Sequence, residues 1–155
     1  MSSYTLAGED PALTAAIEKL RALARADGIQ FDTAAYGGVR TEADTIKILG
    51  FRAKEYPLYV TALAVSHPER IPDPIEVWRP IAPFGSSMHN WGCARDIIIL
   101  KKPDGFTEAE AFRRVGSHAS DCGLKWGGTF QQRPDPPHFE VRMTLGEAKK
   151  RWQGR

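Results

Sequence analysis

Cysteine is scarce in this sequence: Cys93 and Cys122 are the two among 155 residues. Two are too few for a disulfide scaffold, and a chain of this length can build its core without one, so both are expected to be reduced. Long apolar runs are missing as well. No stretch approaches the roughly 20 residues that a membrane-spanning helix needs. Met1 to Asp10 has no basic segment followed by an apolar one, so synthesis in the cytoplasm without a signal peptide is the expectation. An excess of one charge is also lacking. The 21 basic and 19 acidic residues leave a formal charge of +2, which builds no electrostatic case for nucleic acid. Repeats and low-complexity tracts do not occur. The chain is 42% hydrophobic and 26% charged, the balance of a soluble folded protein, and its length fits a single domain over residues 1–155.

Asp10-Pro11 reads as an N-cap followed by proline at the first helical position. Leu13, Ile17, Leu20 and Ala24 then recur at helical spacing, which predicts a helix to about Asp27. Ile29 to Gly38 suits a short strand or extended segment. Thr41 and Asp44 resemble a capping box, opening a long amphipathic helix with Ile46, Leu49, Ala53, Tyr56, Val60 and Leu63 in its stripe and a kink at Pro57. Five prolines between 66 and 83 predict a loop. Ala94 to Leu100 reads as a buried strand. Thr107 with Glu110 opens a helix carrying Phe112, Val115, Ala119 and Cys122 and ended by Gly123. His138 to Met143 alternates as a strand does, and Thr144 with Glu147 caps a last helix. Helices and strands interleave too irregularly for repeated βαβ units. The prediction is an α+β fold with a small, largely antiparallel sheet and flanking helices.

The richest stretch is Ser87-Met88-His89-Asn90-Trp91-Gly92-Cys93-Ala94-Arg95-Asp96. His89 ends the loop and Asp96 lies near the start of the strand, so ligands from two elements can converge on one ion. A catalytic zinc takes three protein ligands and keeps one position for water, and His138 in Asp135-Pro136-Pro137-His138-Phe139-Glu140 completes a His, Asp, His set. Zinc lowers the pKa of a bound water to roughly 7. Peptide cleavage also needs a base and an acid, and Asp135 can serve as both in turn. Gly, Ala and Asp at three fixed offsets from a given histidine arise by chance about three times in ten thousand, so the first pattern is specific. Nothing similar surrounds His67 or His118, which are left as ordinary histidines.

His89-x-x-Gly92-x-Ala94-x-Asp96 and Asp135-x-Pro137-His138-Phe139-Glu140 resemble the two signatures of the zinc peptidases that cut bacterial peptidoglycan. That family includes D,D-carboxypeptidases, vancomycin-resistance D,D-dipeptidases and phage endolysin L-alanyl-D-glutamate endopeptidases, and it shares a fold with the hedgehog signalling domain. The resemblance runs from about Gly37 to Thr144. Gly123-Leu124-Lys125-Trp126-Gly127-Gly128 is similar to a family segment, and Ser87 stands two residues before the first ligand, as in family members. Gly38-Val39-Arg40-Thr41 looks like the arginine motif, which implies that Arg40 stabilises the developing oxyanion; an ion pair at the surface is the other reading. Asp44-Thr45 and Thr129-Phe130 depart from the pattern, which bears on the substrate pocket. Trp126 and Phe130 are read either as pocket walls or as packing residues. Glu140 shares strand parity with His138 and is read either as its supporting partner or as a surface residue.

The resemblance implies one zinc ion per chain and, from the Asp-x-Pro-His-Phe-Glu signature, a metallo-endopeptidase acting on the peptidoglycan stem peptide at the L-Ala-D-Glu bond. A D,D-carboxypeptidase or dipeptidase with the same zinc chemistry is the alternative. From another class comes a zinc-stabilised binding module without catalysis, against which Asp135 and Arg40 argue. A monomer is the expected state. The expected place of action is the cell wall, reached by holin-type release or another export route.

Overall fold

A computed structural model of the chain describes residues 7–35, 37–44, 87–132 and 134–155. The chain divides into two compact units, residues 1–40 with 88–155, and residues 41–87. In the second, Thr41 Oγ1 accepts from the Asp44 N–H at 3.2 Å and Asp44 Oδ2 accepts from the Thr41 N–H at 3.0 Å, the reciprocal cap that the sequence predicts. The stripe from Ile46 to Leu63, Pro57, His67 and the proline-rich stretch lie outside the described residues.

The first unit opens with α1 (Pro11–Ala26), capped by Asp10, whose Oδ1 accepts from the Ala12 N–H at 2.9 Å. Its apolar stripe, Leu13, Ile17, Leu20 and Ala24, is fully buried. Strand β1 (Gln30–Thr33) follows, then a buried 3-10 turn at Met88–Trp91 and strand β2 (Ala94–Lys101). Thr107 caps α2 (Glu108–Ser117) through the Glu110 N–H. That helix ends earlier than the sequence predicts, at His118. Gly116 is a weak helix former, and Ser117 turns its hydroxyl back onto the Arg114 carbonyl at 2.6 Å, competing with the helical ladder. A 3-10 turn at Ser120–Cys122 leads into β3 (Leu124–Trp126), which at three residues is too short to show a period. Strand β4 (His138–Val141) and α3 (Leu145–Gln153), the latter with a complete capping box of Thr144 and Glu147, close the unit.

The four strands form one antiparallel sheet in the order β1-β2-β4-β3. The α+β class and the largely antiparallel sheet agree with the sequence reading. The main core joins the α1 stripe to Ile29, Phe31, Ile97, Phe112, Val115, Leu124 and Phe139. Burial of each large apolar side chain contributes about 1.5–3 kcal/mol, which presses α1 and α2 onto the sheet. A smaller cluster of Met88, Trp91, Cys93, Ala94 and Ala148 packs beneath the 3-10 turn. Strand β2 is buried only over its first half, for Ile98 and Leu100 are exposed. Both cysteines are free thiols. Among the described residues no helix is long and apolar enough to cross a membrane.

Candidate metal centre

Three segments converge. His89 comes from the 3-10 turn, which reverses at Gly92 with φ +71°. A side chain there would be strained, and its Cβ would stand 2.6 Å from the Gly8 carbonyl oxygen, so the turn that aims His89 needs glycine. Asp96 of β2 lies directly across from His138 of β4 in the ladder. Cross-strand neighbours share a face, and that brings their side chains together.

The donor atoms form a nearly equilateral triangle. His89 Nε2 is 3.3 Å from His138 Nδ1 and 3.3 Å from Asp96 Oδ1, and His138 Nδ1 is 3.2 Å from Asp96 Oδ1. Donors held tetrahedrally at 2.0–2.1 Å from a zinc ion would be about 3.3–3.4 Å apart. The triangle therefore has the dimensions of three corners of a zinc tetrahedron, and the nitrogen and oxygen donors suit that ion.

Each ligand is also held from behind. His89 Nδ1 donates to the Gly38 carbonyl at 3.0 Å, which leaves the lone pair of Nε2 pointing inward. Asp96 Oδ2 accepts from the Arg40 guanidinium at 2.8 Å. His138 Nε2 donates to Glu140 at 2.8 Å. Such outer partners fix tautomer and orientation before the ion arrives. Arg40 is itself placed by its own N–H, which donates to the His89 carbonyl at 3.1 Å, and by its carbonyl, which accepts from the Asn90 amide at 3.1 Å. It is largely buried, so the surface ion pair considered from the sequence is not what the structure shows.

Charge follows this arrangement. Burial holds the His89 pKa below its ordinary value, against the pull of Asp96. Burial opposes ionisation of Asp96, but His89 and His138 outweigh it and keep the carboxyl well below the usual range. Burial also disfavours charge on His138, yet the bonds to Asp96 and Glu140 prevail and raise it to about 9. Asp135, on the turn just before His138, is raised by burial and then by the negative charge of Asp96; it also feels His138, His89 and Arg40.

The Asp135 turn has a rigid mount. Its N–H donates to the Gly127 carbonyl at 2.8 Å, and its carbonyl accepts from the His138 N–H at 3.0 Å. A Cβ on Gly127 would stand 2.4 Å from the Asp135 carbonyl oxygen, so only glycine permits the approach. Trp126 Nε1 donates to the Pro136 carbonyl at 2.7 Å, and its ring fills the space over Gly116 and Gly128, where a Cβ would come within 2.2 Å of it in each case. The Phe130 ring lies 5.6 Å from the His138 ring, centroid to centroid. Ser87 is a half-buried bend residue of the second unit, two positions before His89. His118 bonds Asp27 at 2.6 Å, away from the ligand triangle. The sequence reading missed the support from Gly38, which acts through its backbone and so leaves no side-chain signal.

Residues 82–141, which include all three candidate ligands and Asp135, match the model of a family described as D-alanyl-D-alanine carboxypeptidase. No curated protein sequence matches the chain. Solved structures share its fold. One is a mutant of the vancomycin resistance D,D-pentapeptidase VanY from a VanB-type cassette in complex with Zn(II), 19% identical over 94% of this chain and 78% of that one, with a TM-score of 0.64. Another is VanYB in complex with D-alanine-D-alanine, 21% identical over 97% and 81%, with a TM-score of 0.63. A third is the LdcB LD-carboxypeptidase, 24% identical over 98% and 73%, with a TM-score of 0.53. The family match thus covers the segment that carries the site, the solved structures share the fold, and the donor triangle fits Zn(II).

Proposed function

We propose that the chain is a zinc metallo-endopeptidase that hydrolyses the peptide stem of bacterial peptidoglycan, at the L-Ala-D-Glu bond; the family match over residues 82–141 and the shared fold support this reading. The observation that carries the reading is the donor triangle, with edges of 3.2–3.3 Å, beside the raised carboxyl of Asp135. His89, Asp96 and His138 hold one zinc ion per chain. When bound, zinc supplies Lewis acidity toward the attacking water and the scissile carbonyl. Asp135 takes the proton of that water and returns it to the leaving nitrogen, and a carboxyl whose pKa is raised by burial suits both tasks. Arg40 holds Asp96 in place and adds positive charge where the oxyanion develops. Ser87 and Trp126 belong to the substrate side of the same reading. The chain acts as a monomer on the cell wall after release across the membrane.

The family match and the D-alanine-D-alanine bound by VanYB favour a second reading, removal of a terminal D-Ala by the same machinery. Digestion of defined muropeptides by the zinc-loaded protein, followed by mass analysis, separates the two. Cleavage between L-Ala and D-Glu without a need for a D-Ala-D-Ala end is the expected result. Free D-Ala with the L-Ala-D-Glu bond intact would establish the second reading, and zinc-loaded protein that cuts no muropeptide would leave the non-catalytic module.

A further inference from the structure

We propose that Lys125 is the anion anchor of this site, its ammonium receiving the stem-peptide carboxylate nearest the scissile bond. The inference rests on the peptidase reading and names the substrate group that reading leaves without a partner. The β3–β4 register puts Lys125 opposite Glu140, two residues beyond His138, while the β2–β4 register puts Asp96 opposite His138. Residues two apart on a strand share a face, and so do directly paired residues. Lys125, Glu140, His138 and Asp96 therefore lie on one face of the sheet.

The side chains continue the connection. Lys125 Nζ stands 5.3 Å from the centroid of the Phe130 ring, whose neighbour at 5.6 Å is the His138 ring. Glu140, the cross-strand partner that would ordinarily pair with Lys125, is engaged with His138 Nε2. The seat on Phe130 is the contact that its ammonium makes among the described residues. Arg40, the other cation of the centre, is engaged with Asp96. Lys125 is exposed, so its apolar stem rests on the ring while the charge stays within reach of solvent and substrate.

A carboxylate beside the scissile bond has two sources. It is the free carboxylate of D-Glu when the L-Ala-D-Glu bond is cut, and the chain terminus when D-Ala is removed. A compact ammonium on a flexible stem can meet either.

The test measures binding by calorimetry to zinc-loaded, full-length protein carrying Asp135→Ala, which prevents turnover. The probes are a synthetic stem peptide with all carboxylates free, one amidated at D-Glu and one amidated at the C-terminus. Adding Lys125→Met should weaken binding of the free peptide roughly tenfold, as expected for loss of a charged hydrogen bond, and Lys125→Arg should restore most of it. Amidating the contacted carboxylate should cause the same loss when Lys125 is present and none in Lys125→Met. The position of that amide tells which source is bound. Equal discrimination between free and amidated peptides with and without Lys125 would overturn the anchor alone. Loss of zinc in Lys125→Met would also overturn it, making Lys125 a support of the metal centre. No binding of any stem peptide at full zinc content would overturn the proposed function and the anchor together.

Discussion

Arg95 and Asp96 are neighbours in β2 whose side chains leave opposite faces of the strand, and the surroundings of the two charges differ. Arg95 meets Glu9, and both side chains are almost wholly buried. Close by, the fully buried Asp10 takes two parallel bonds from Arg151, at 2.7 and 2.8 Å, while its N–H donates to the Gly92 carbonyl. Every charge in that network ends on an opposite charge of the same chain. On the other face, Gly38, Arg40 and Glu140 all support the ligands from outside, and three donor atoms are left facing one another. The first pattern closes on itself and ties the N-terminal segment and α3 to the turn that carries His89. The second needs a cation from elsewhere: a proton on His138 in the metal-free protein at neutral pH, and zinc in the loaded one.

The sharpest way to separate the two networks is to break the closed one. Arg95→Met leaves the Glu9 carboxylate buried without its partner and should cost about 3–5 kcal/mol of stability in urea unfolding, while the folded fraction still holds its zinc. Adding Glu9→Leu removes the orphaned charge and should recover most of that loss. If Arg95→Met is neutral, the pair is not closed as described. A change on the site face acts differently. Asp135→Ala should leave zinc content and stability unchanged and lower turnover of a cleaved muropeptide about a hundredfold or more, the usual contribution of a general base. Retained turnover would move the base elsewhere, with Glu140 next in line.

The smallest effect concerns the proton. His138 is raised from 6.5 to about 9 in the metal-free protein, so zinc must displace a proton below that pH. Apparent zinc affinity should rise about tenfold per pH unit from 7 toward 9 and then level off. The stability sign is fixed by the same shift. A histidine whose folded pKa lies above its unfolded one contributes fully below pH 6.5, and that contribution fades as pH rises through about 9. The melting temperature of metal-free protein should therefore fall over this interval. A flat zinc affinity from pH 7 to 9 would show that His138 is already neutral.

Much of the site was legible because its chemistry is local. The ligands sit in two short segments of restricted composition, and strand parity alone linked Glu140 to His138. The caps at Asp10, Thr41, Thr107 and Thr144 were legible for the same reason, since each is a pattern of three or four residues. What depends on distant pairing was not. The pairing of Arg95 could not be read, because its partner Glu9 lies 86 residues away. Lys125 could not be placed without β3. Arg40 was recognised by its motif, but its bond to Asp96 spans 56 residues and shows itself only in the fold.

The most direct test of the account is the zinc content of protein purified without added metal and then reconstituted and dialysed. One equivalent per chain is expected, lost in a His89→Ala and His138→Ala double variant and kept in Arg95→Met. Less than about half an equivalent in the parent protein, or unchanged content in the double variant, would contradict the assignment of the triangle as a zinc centre.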